Sequence, residues 1–268
     1  MNTFMIIAAT LFGIIVGSFL NVCIVRLPKE QSIVYPSSHC VFCNHELKLI
    51  DLVPVFSFLF LKGKCRYCGE KISKRYIIVE LLTGIMSGFT FFWYGLSIDF
   101  FRIFLLGAIL IAVSFIDLEY QIIPDELVLT GILFGIILII YNLFIDKIYE
   151  TWYSPLIGAV VVSSILFIFS KIGQKIYKTE DVIGLGDVKL FIAIGIILGF
   201  EKVMVAFLVA IFLGGIYGII TIIIDKKNSK KLIPFAPFIS LGSMISSYFG
   251  YNLVVWYIDN FISKGVFR

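Results

Sequence analysis

An acidic residue inside an apolar segment is the first feature of this sequence that could do chemistry. Asp187 ends the stretch Gly184-Leu185-Gly186-Asp187, and the chain then stays largely apolar as far as residue 200. Since the apolar segment starts about five residues earlier, Asp187 should lie on the order of 7 Å inside a membrane helix. A carboxylate at that depth costs a few kcal/mol and marks a bundle interior or a water-filled pocket. The two glycines allow a close approach and non-helical dihedral angles. A first-turn aspartate facing the helix dipole explains Asp187 equally well, so both interpretations stay open.

Asp117 is a second carboxylate at a membrane edge. It follows the third apolar segment of the chain, and the ten residues from 117 to 126 contain no lysine or arginine. A negative charge at the end of a helix is unfavourable against the helix dipole, so Asp117 lacks a simple structural explanation. Asp125 and Glu126 do have one, because they follow Pro124 in the first turn of the next helix. Asp125 is therefore only the reserve candidate for an acid–base role.

Asp117 and Asp187, if they meet, could hydrolyse a peptide bond. Two close carboxylates cannot both ionise cheaply, so one of them holds a proton. The ionised carboxylate can take a proton from water while the other donates one to a carbonyl oxygen, as in aspartic proteases. A Ser/His/Asp set is not available, because the only histidines, His39 and His45, lie beside a cysteine motif. Lys189 either biases the protonation of the pair or extends its ammonium group to the membrane interface, and we favour the second.

Four of the five cysteines have the spacing of a metal site. They form two C-x2-C pairs separated by 21 residues: Cys40 with Cys43, and Cys65 with Cys68. Four thiolates complete a structural tetrahedral Zn²⁺ site and leave no open position for catalysis. Disulfides are the alternative, but a reducing cytosol disfavours them. His39 and His45 could replace a ligand but are expected to be ordinary surface residues, and Cys23 is expected to be buried in the first helix.

The composition predicts an all-α polytopic membrane protein that carries these residues. Of 268 residues, 60% are hydrophobic and only 15% are charged, against about a quarter charged in soluble domains. No basic segment interleaved with aromatic residues favours nucleic-acid binding. The segment 52–61 is apolar but too short to cross a bilayer, so it is either interfacial or packed within the cysteine-bearing segment. Eight apolar runs are of membrane-spanning length: 4–25, 76–96, 100–116, 127–145, 154–172, 182–200, 203–224 and 235–258.

The distribution of lysine and arginine predicts the orientation in the membrane. Seventeen of the 22 basic residues fall on one side if the segment 26–75 is placed in the cytoplasm, as the positive-inside rule requires. Both termini should then be outside, with Trp93, Trp152 and Trp256 at outer helix ends as an aromatic belt. We expect three parts: a first membrane helix over 1–25, a cytoplasmic zinc-binding insert over 26–75, and a membrane peptidase core over 76–268. The first helix lacks a basic start and a small-residue cleavage site, so we expect it to be retained.

The combination of these motifs resembles the bacterial prepilin peptidases, the type IV leader peptidase family of GxGD aspartic peptidases. The resemblance covers nearly the whole chain, and the order of the motifs is more specific than any one of them. The matching stretches are Gly17-Ser18-Phe19-Leu20-Asn21-Val22, Arg26-Leu27-Pro28, the cysteine pairs, Ile72-Ser73-Lys74-Arg75-Tyr76, Glu80-Leu81-Leu82-Thr83-Gly84, 117–125, 184–189 and Pro234-Phe235-Ala236-Pro237-Phe238.

The resemblance implies a function and a site. Asp117 and Asp187 match the catalytic aspartates of the family, with Gly184, Gly186, Asp125 and Lys189 as supporting residues. Family members cut the short basic leader from prepilins and pseudopilins on the cytoplasmic side of the bacterial inner membrane. Those with the cysteine-bearing insert usually also methylate the new N-terminus from S-adenosylmethionine, whose binding residues are not identifiable here. Ala236 stands where the family often has glycine, a departure that we expect not to affect the chemistry.

Two other classes of function fit part of the sequence. A proton-coupled transporter could use Asp117 and Asp187 as coupling sites, but the halves of the chain show no repeat, and a zinc insert would be unexplained. A membrane-tethered zinc-ribbon adaptor would not need eight helices with buried acids. The sequence does not distinguish a type IV pilus from a type II secretion or competence system as the source of the substrate.

Overall fold

The protein is all-helical in the part of the chain that the structure describes, which confirms the predicted fold class. The structure is a computed structural model that describes residues 3–177, 184–224 and 233–262. Short 3₁₀ turns occur at Leu27–Lys29 and Leu49–Asp51, and a π-helical turn at Ile258–Ile262. The α-helices are α1 (Thr3–Arg26), α2 (Phe56–Phe60), α3 (Arg75–Tyr94), α4 (Ile98–Tyr120), α5 (Asp125–Phe144), α6 (Ser154–Tyr177), α7 (Leu185–Leu198), α8 (Phe200–Ile224) and α9 (Ala236–Tyr257).

Seven of these helices are long and apolar enough to cross a membrane. They correspond to seven of the eight predicted spans, and the protein is a multi-pass membrane protein. The sixth predicted run, 182–200, begins with two residues that lie outside the described part of the chain. Its described helix α7 has 14 residues, about 21 Å at 1.5 Å per residue. This is less than the roughly 30 Å of hydrocarbon.

The chain divides into two compact units, Met1–Ala112 and Val113–Arg268, and the boundary falls within α4. In the first unit, α1 packs against α3 through small residues on both helices. Gly13 of α1 lies against Gly84 of α3, and Gly17 of α1 lies against Glu80 and Thr83 of α3. A Cβ atom on Gly17 would lie 2.8 Å from the Cα of Glu80. Such close backbone contact is the usual way in which membrane helices associate without a hydrophobic driving force.

The second unit is organised around α7, which packs against α5, α6, α8 and α9. Most of its side chains are buried, as expected for a helix that is apolar all round. A Cβ atom on Gly195 would lie 2.6 Å from the Cα of Ala159, so α6 approaches α7 closely. The hydroxyl of Tyr149 lies 2.9 Å and 3.0 Å from the carbonyl oxygens of Ile196 and Ile197. It thereby satisfies carbonyl groups at the end of α7 that lack a partner within the helix.

Candidate active site

Asp117 lies in the last turn of α4 and is buried, with 7% of its surface exposed. Its Oδ2 atom accepts a hydrogen bond of 3.0 Å from the backbone N–H of Ala236, the first residue of α9. The helix α4 ends directly afterwards, where Gln121 adopts a positive φ of 56°. The positive end of the α9 dipole therefore offsets the unfavourable position of Asp117 at the end of α4. This partner was not predicted from the sequence.

Asp187 lies in the first turn of α7 and is also buried, with 9% of its surface exposed. Gly184 is the N-cap residue, and its carbonyl oxygen accepts a hydrogen bond of 3.1 Å from the N–H of Asp187. The φ of −61° and ψ of 131° of Gly184 are backbone angles that any residue can adopt, so this position does not require glycine for its conformation. Asp187 thus lies in the first turn of a helix, where a negative charge suits the dipole, and it is as buried as a residue inside a bundle.

Gly186 allows the start of α7 to lie against the connection between α4 and α5. A Cβ atom at this position would lie 3.0 Å from the Cβ of Ile123. The loop that follows Asp117 therefore contacts the turn that carries Asp187. This contact explains the second glycine of the motif by close approach.

The two aspartates belong to the same unit, and their carboxylates are close enough to interact electrostatically. Two buried carboxylates near one another are most stable when they share a single proton. One of them can then act as a base while the other acts as an acid. The structure therefore brings the two aspartates that the sequence singled out into one unit of the fold.

Asp125 and Lys189 form an ion pair beside the aspartates. The Nζ atom of Lys189 lies 2.7 Å from Oδ1 and 2.9 Å from Oδ2 of Asp125. Both side chains are exposed, by 50% for Lys189 and 72% for Asp125. Asp125 lies in the first turn of α5, as predicted, and Lys189 lies two residues after Asp187. The pair connects the starts of α5 and α7, a contact that the sequence analysis did not predict.

The four predicted metal ligands come together in the first unit. Their sulfur atoms all lie within 4.8 Å of one another, and the Sγ atoms of Cys40 and Cys68 are 3.9 Å apart. Both C-x2-C turns have the same backbone hydrogen bond. The N–H of Asn44 donates to the carbonyl oxygen of Cys40, and the N–H of Gly69 donates to that of Cys65. Asn44 and Gly69 both have positive φ angles. All four sulfurs are free thiols that could together bind a metal ion.

The pKa values of two thiols in the cluster shift in opposite directions. Burial opposes the charged form of Cys40. Hydrogen bonds from the backbone of Cys43 and Phe42 and from neighbouring thiols nevertheless lower the pKa of Cys40 to about 7. A hydrogen bond with the backbone of Glu70 lowers the pKa of Cys68, but burial and hydrogen bonds with the other three thiols outweigh it and raise the pKa overall.

His45 stacks on Tyr67 with ring centroids 3.6 Å apart. His39 points its Nδ1 atom at a backbone oxygen. The two histidines therefore have contacts outside the four-sulfur cluster.

A helical membrane protein with two buried, interacting aspartates has the architecture of an intramembrane aspartic peptidase. Comparison with known proteins is consistent with this class. Residues 11–94 match the model of the bacterial peptidase A24 N-terminal domain, and residues 104–219 match the type IV leader peptidase family. The chain belongs to the type IV leader peptidase family.

Curated relatives that carry the name prepilin leader peptidase/N-methyltransferase cover nearly the whole chain. The protein from Bacillus subtilis is 32% identical over 92% of this chain and 96% of its own length. The protein from Dichelobacter nodosus is 33% identical over 90% and 93%. The protein from Pseudomonas aeruginosa is 29% identical over 95% and 93%. No solved structure matches this chain.

Proposed function

We propose that this protein is a membrane aspartic endopeptidase that removes the basic leader from prepilin-like precursors and methylates the new N-terminus. The observation that carries the peptidase proposal is the pair of buried carboxylates, Asp117 from α4 and Asp187 from α7, in a single unit. The names of the relatives support both activities. They do not support the transporter hypothesis.

The surroundings of the two aspartates suggest which one acts as the general base and which one as the general acid. The N–H of Ala236 donates to Asp117, where it stabilises a negative charge at the start of α9. We therefore assign Asp117 as the carboxylate that takes a proton from the attacking water. Asp187, which receives no such bond within the described chain, then carries the proton that is donated to the carbonyl oxygen of the scissile bond. When the tetrahedral intermediate breaks down, Asp117 passes its proton to the leaving amine while Asp187 takes one back from a hydroxyl of the intermediate, which returns the pair to its starting state.

An exposed acidic surface near the pair suits a basic leader. Glu119, Asp125 and Glu126 are all exposed and lie between the end of α4 and the start of α5. Their attraction for lysine and arginine acts over a Debye length of about 8 Å at physiological salt. Asp125 forms an ion pair with Lys189. We propose prepilins or pseudopilins as substrates, with the leader and the active site on the cytoplasmic side of the bacterial inner membrane.

Zn²⁺ is the metal that we propose for Cys40, Cys43, Cys65 and Cys68. In a tetrahedral site with bonds of about 2.3 Å, sulfur atoms lie about 3.8 Å apart. The 3.9 Å between Cys40 and Cys68 fits this value. Four protein ligands leave no position for water, so the ion would supply folding energy to the insert and no catalysis.

The methyl donor S-adenosylmethionine has no site that we can assign among the described residues. Asn21 and Glu80 are buried polar side chains of the first unit, and both form hydrogen bonds with the protein backbone. Asn21 donates 3.0 Å to the carbonyl oxygen of Tyr76, and Glu80 accepts 2.7 Å from the N–H of Val55. The methyltransferase part of the proposal rests on the family relationship.

Cleavage of a purified prepilin by the purified protein in detergent tests the function. We expect wild type to release the leader, with the cut position read from the product mass, and to add one methyl group when labelled S-adenosylmethionine is present. The double variant Asp117→Asn/Asp187→Asn should be folded, bind metal as wild type does, and not cut. A wild-type protein that binds prepilin but never cleaves it would contradict the peptidase proposal. Cleavage without methylation would contradict the methyltransferase part alone.

A further inference from the structure

The cysteine-bearing insert exposes a row of large apolar side chains. They lie in the 3₁₀ turn Leu49–Asp51, in α2, and between these two elements. Leu49 is 87% exposed and Phe60 is 83% exposed. Together they form what we call the apolar strip: Leu49, Ile50, Val53, Phe56, Leu59 and Phe60. A strip of this kind needs a cover in the functional protein, because it would otherwise be a large apolar patch in water.

A hydrogen bond fixes the strip at the depth of a membrane-spanning helix. The N–H of Val55, the residue just before α2, donates 2.7 Å to Oε2 of Glu80 in α3. Glu80 is buried and lies five residues after Arg75, where α3 begins. Five residues correspond to about 7.5 Å along a helix axis. The start of α2 is therefore level with the first turns of a membrane span and is not out in the cytoplasm.

The same bond holds an unusual backbone conformation. Val55 has a φ of 64°, which is a genuine outlier for a β-branched residue. Such a conformation persists only where its surroundings hold it in place. The carboxylate of Glu80 supplies that constraint, and it fixes where the chain turns into α2. The position of the strip is therefore a built feature of the first unit.

Basic residues flank the strip on both sides. Lys48 precedes it, and Lys62 and Lys64 follow it. The span α3 also starts at a basic residue, Arg75, after Lys74. Apolar side chains bordered by lysines are typical of segments that lie in the plane of a membrane interface with anionic lipids. The five residues of α2 are far too few to cross the bilayer.

We propose that the apolar strip inserts into the headgroup and upper acyl region of the lipid bilayer and holds the cysteine cluster against the membrane surface. The lipid bilayer is the occupant that fits best, because the strip is tied level with a span and bordered by cationic side chains. A second copy of this chain would be the competing cover. The inference does not depend on the proposed peptidase activity.

A tryptophan placed in the strip tests this directly. Phe60→Trp would be made in a chain whose Trp93, Trp152 and Trp256 are replaced by Phe. The protein would be reconstituted in nanodiscs of phosphatidylcholine and phosphatidylglycerol, with and without bromine on the upper acyl chain. The matched control is Glu70→Trp, an exposed position in the second cysteine turn of the same insert. Metal content equal to that of the parent chain would show that each variant is folded. If Phe60→Trp loses the metal, Leu59→Trp provides the same test.

We expect bromolipid to quench the tryptophan at position 60 several-fold more strongly than the one at position 70, with emission shifted to the blue. Equal quenching at the two positions would overturn the proposal. Blue-shifted emission at position 60 without quenching would also overturn it, because a protein surface, such as a second copy of the chain, would then cover the strip.

Discussion

Gly186→Ala should reduce catalysis with little effect on stability. The added Cβ would lie 3.0 Å from the Cβ of Ile123 and 3.3 Å from its Cγ1. Carbon atoms pack best at about 3.5–4.0 Å, so the start of α7 must move by about 0.5–1 Å. Overpacking of this kind costs about 1–3 kcal/mol. Alanine stabilises a helix by up to about 1 kcal/mol relative to glycine, and this offsets part of the overpacking cost. The melting temperature should therefore change little.

The movement of α7 changes the position of Asp187 relative to Asp117. The gain in helix stability from alanine does not compensate for this change in the catalytic step. If the whole cost of about 1–3 kcal/mol falls on the transition state, kcat drops about 5- to 150-fold. The matched control is Gly184→Ala. At Gly184 a Cβ meets no atom closer than Oδ2 of Asp187 at 3.5 Å, and φ is already negative. We expect that variant to stay within about twofold of wild type.

The assay is the cleavage of a prepilin at saturating substrate, together with thermal unfolding of each variant in detergent. Removing Cγ1 and Cδ1 in the double variant Gly186→Ala/Ile123→Ala should recover part of the lost kcat, because only the contact at 3.0 Å remains. A loss of kcat in Gly184→Ala as severe as that in Gly186→Ala would show that the contact with Ile123 is not the cause. A double variant that recovers nothing beyond the effect of Ile123→Ala alone would show the same.

Three further predictions follow from other contacts. Lys189→Asp and Asp125→Lys should each lower kcat by about 1.5- to 5-fold, as expected for an exposed ion pair worth about 0.2–1 kcal/mol. The double variant should restore it, and a reversal that restores nothing would show that the pair does not position the site. Burial raises the pKa of Asp51, but hydrogen bonds with Arg66 and Tyr67 outweigh this effect and lower it overall. Asp51 therefore stabilises the fold above its unfolded pKa, and this contribution is lost as the pH falls through the lowered value. The difference in melting temperature between wild type and Asp51→Asn should be present at neutral pH and vanish in acid, whereas a difference independent of pH would contradict it. Purified wild type should hold one zinc per chain by elemental analysis, and Cys43→Ser should hold much less; equal zinc in both would place the metal elsewhere.

The sequence predicted the helices and the motif residues because those signals are local. Long apolar runs identify membrane helices wherever they occur, and seven of the eight predicted spans match described helices that are long and apolar enough to cross a membrane. The spacing of the cysteine pairs likewise predicted their convergence, since two tight turns bring four sulfurs together. Asp117 and Asp187 stood out because charged residues are costly within apolar segments.

The partners of those residues could not be predicted, because they are set by tertiary packing. Asp117 and Ala236 are 119 residues apart in the chain. The donor is a backbone N–H, so the type of residue at position 236 does not indicate the hydrogen bond. The departure at Ala236 is harmless to this bond for the same reason. Lys189 and Asp125 were each explained separately by local rules, and only the packing of α5 against α7 brings them together. The sequence did not indicate that α7 is too short to cross a membrane, because an apolar run has the same composition whether protein or lipid surrounds it.

The central claim is that Asp117 and Asp187 together hydrolyse the peptide bond. The measurement that tests it most directly is kcat for prepilin cleavage by Asp117→Asn and by Asp187→Asn, each with wild-type melting behaviour and metal content. The matched control is Asp146→Asn, an exposed aspartate of the same unit. We predict a loss of about 10²- to 10⁴-fold or more for each of the first two variants and none for the control. A folded Asp117→Asn or Asp187→Asn variant that still cuts at the wild-type rate would contradict the account, and Asp125 would become the next residue to test.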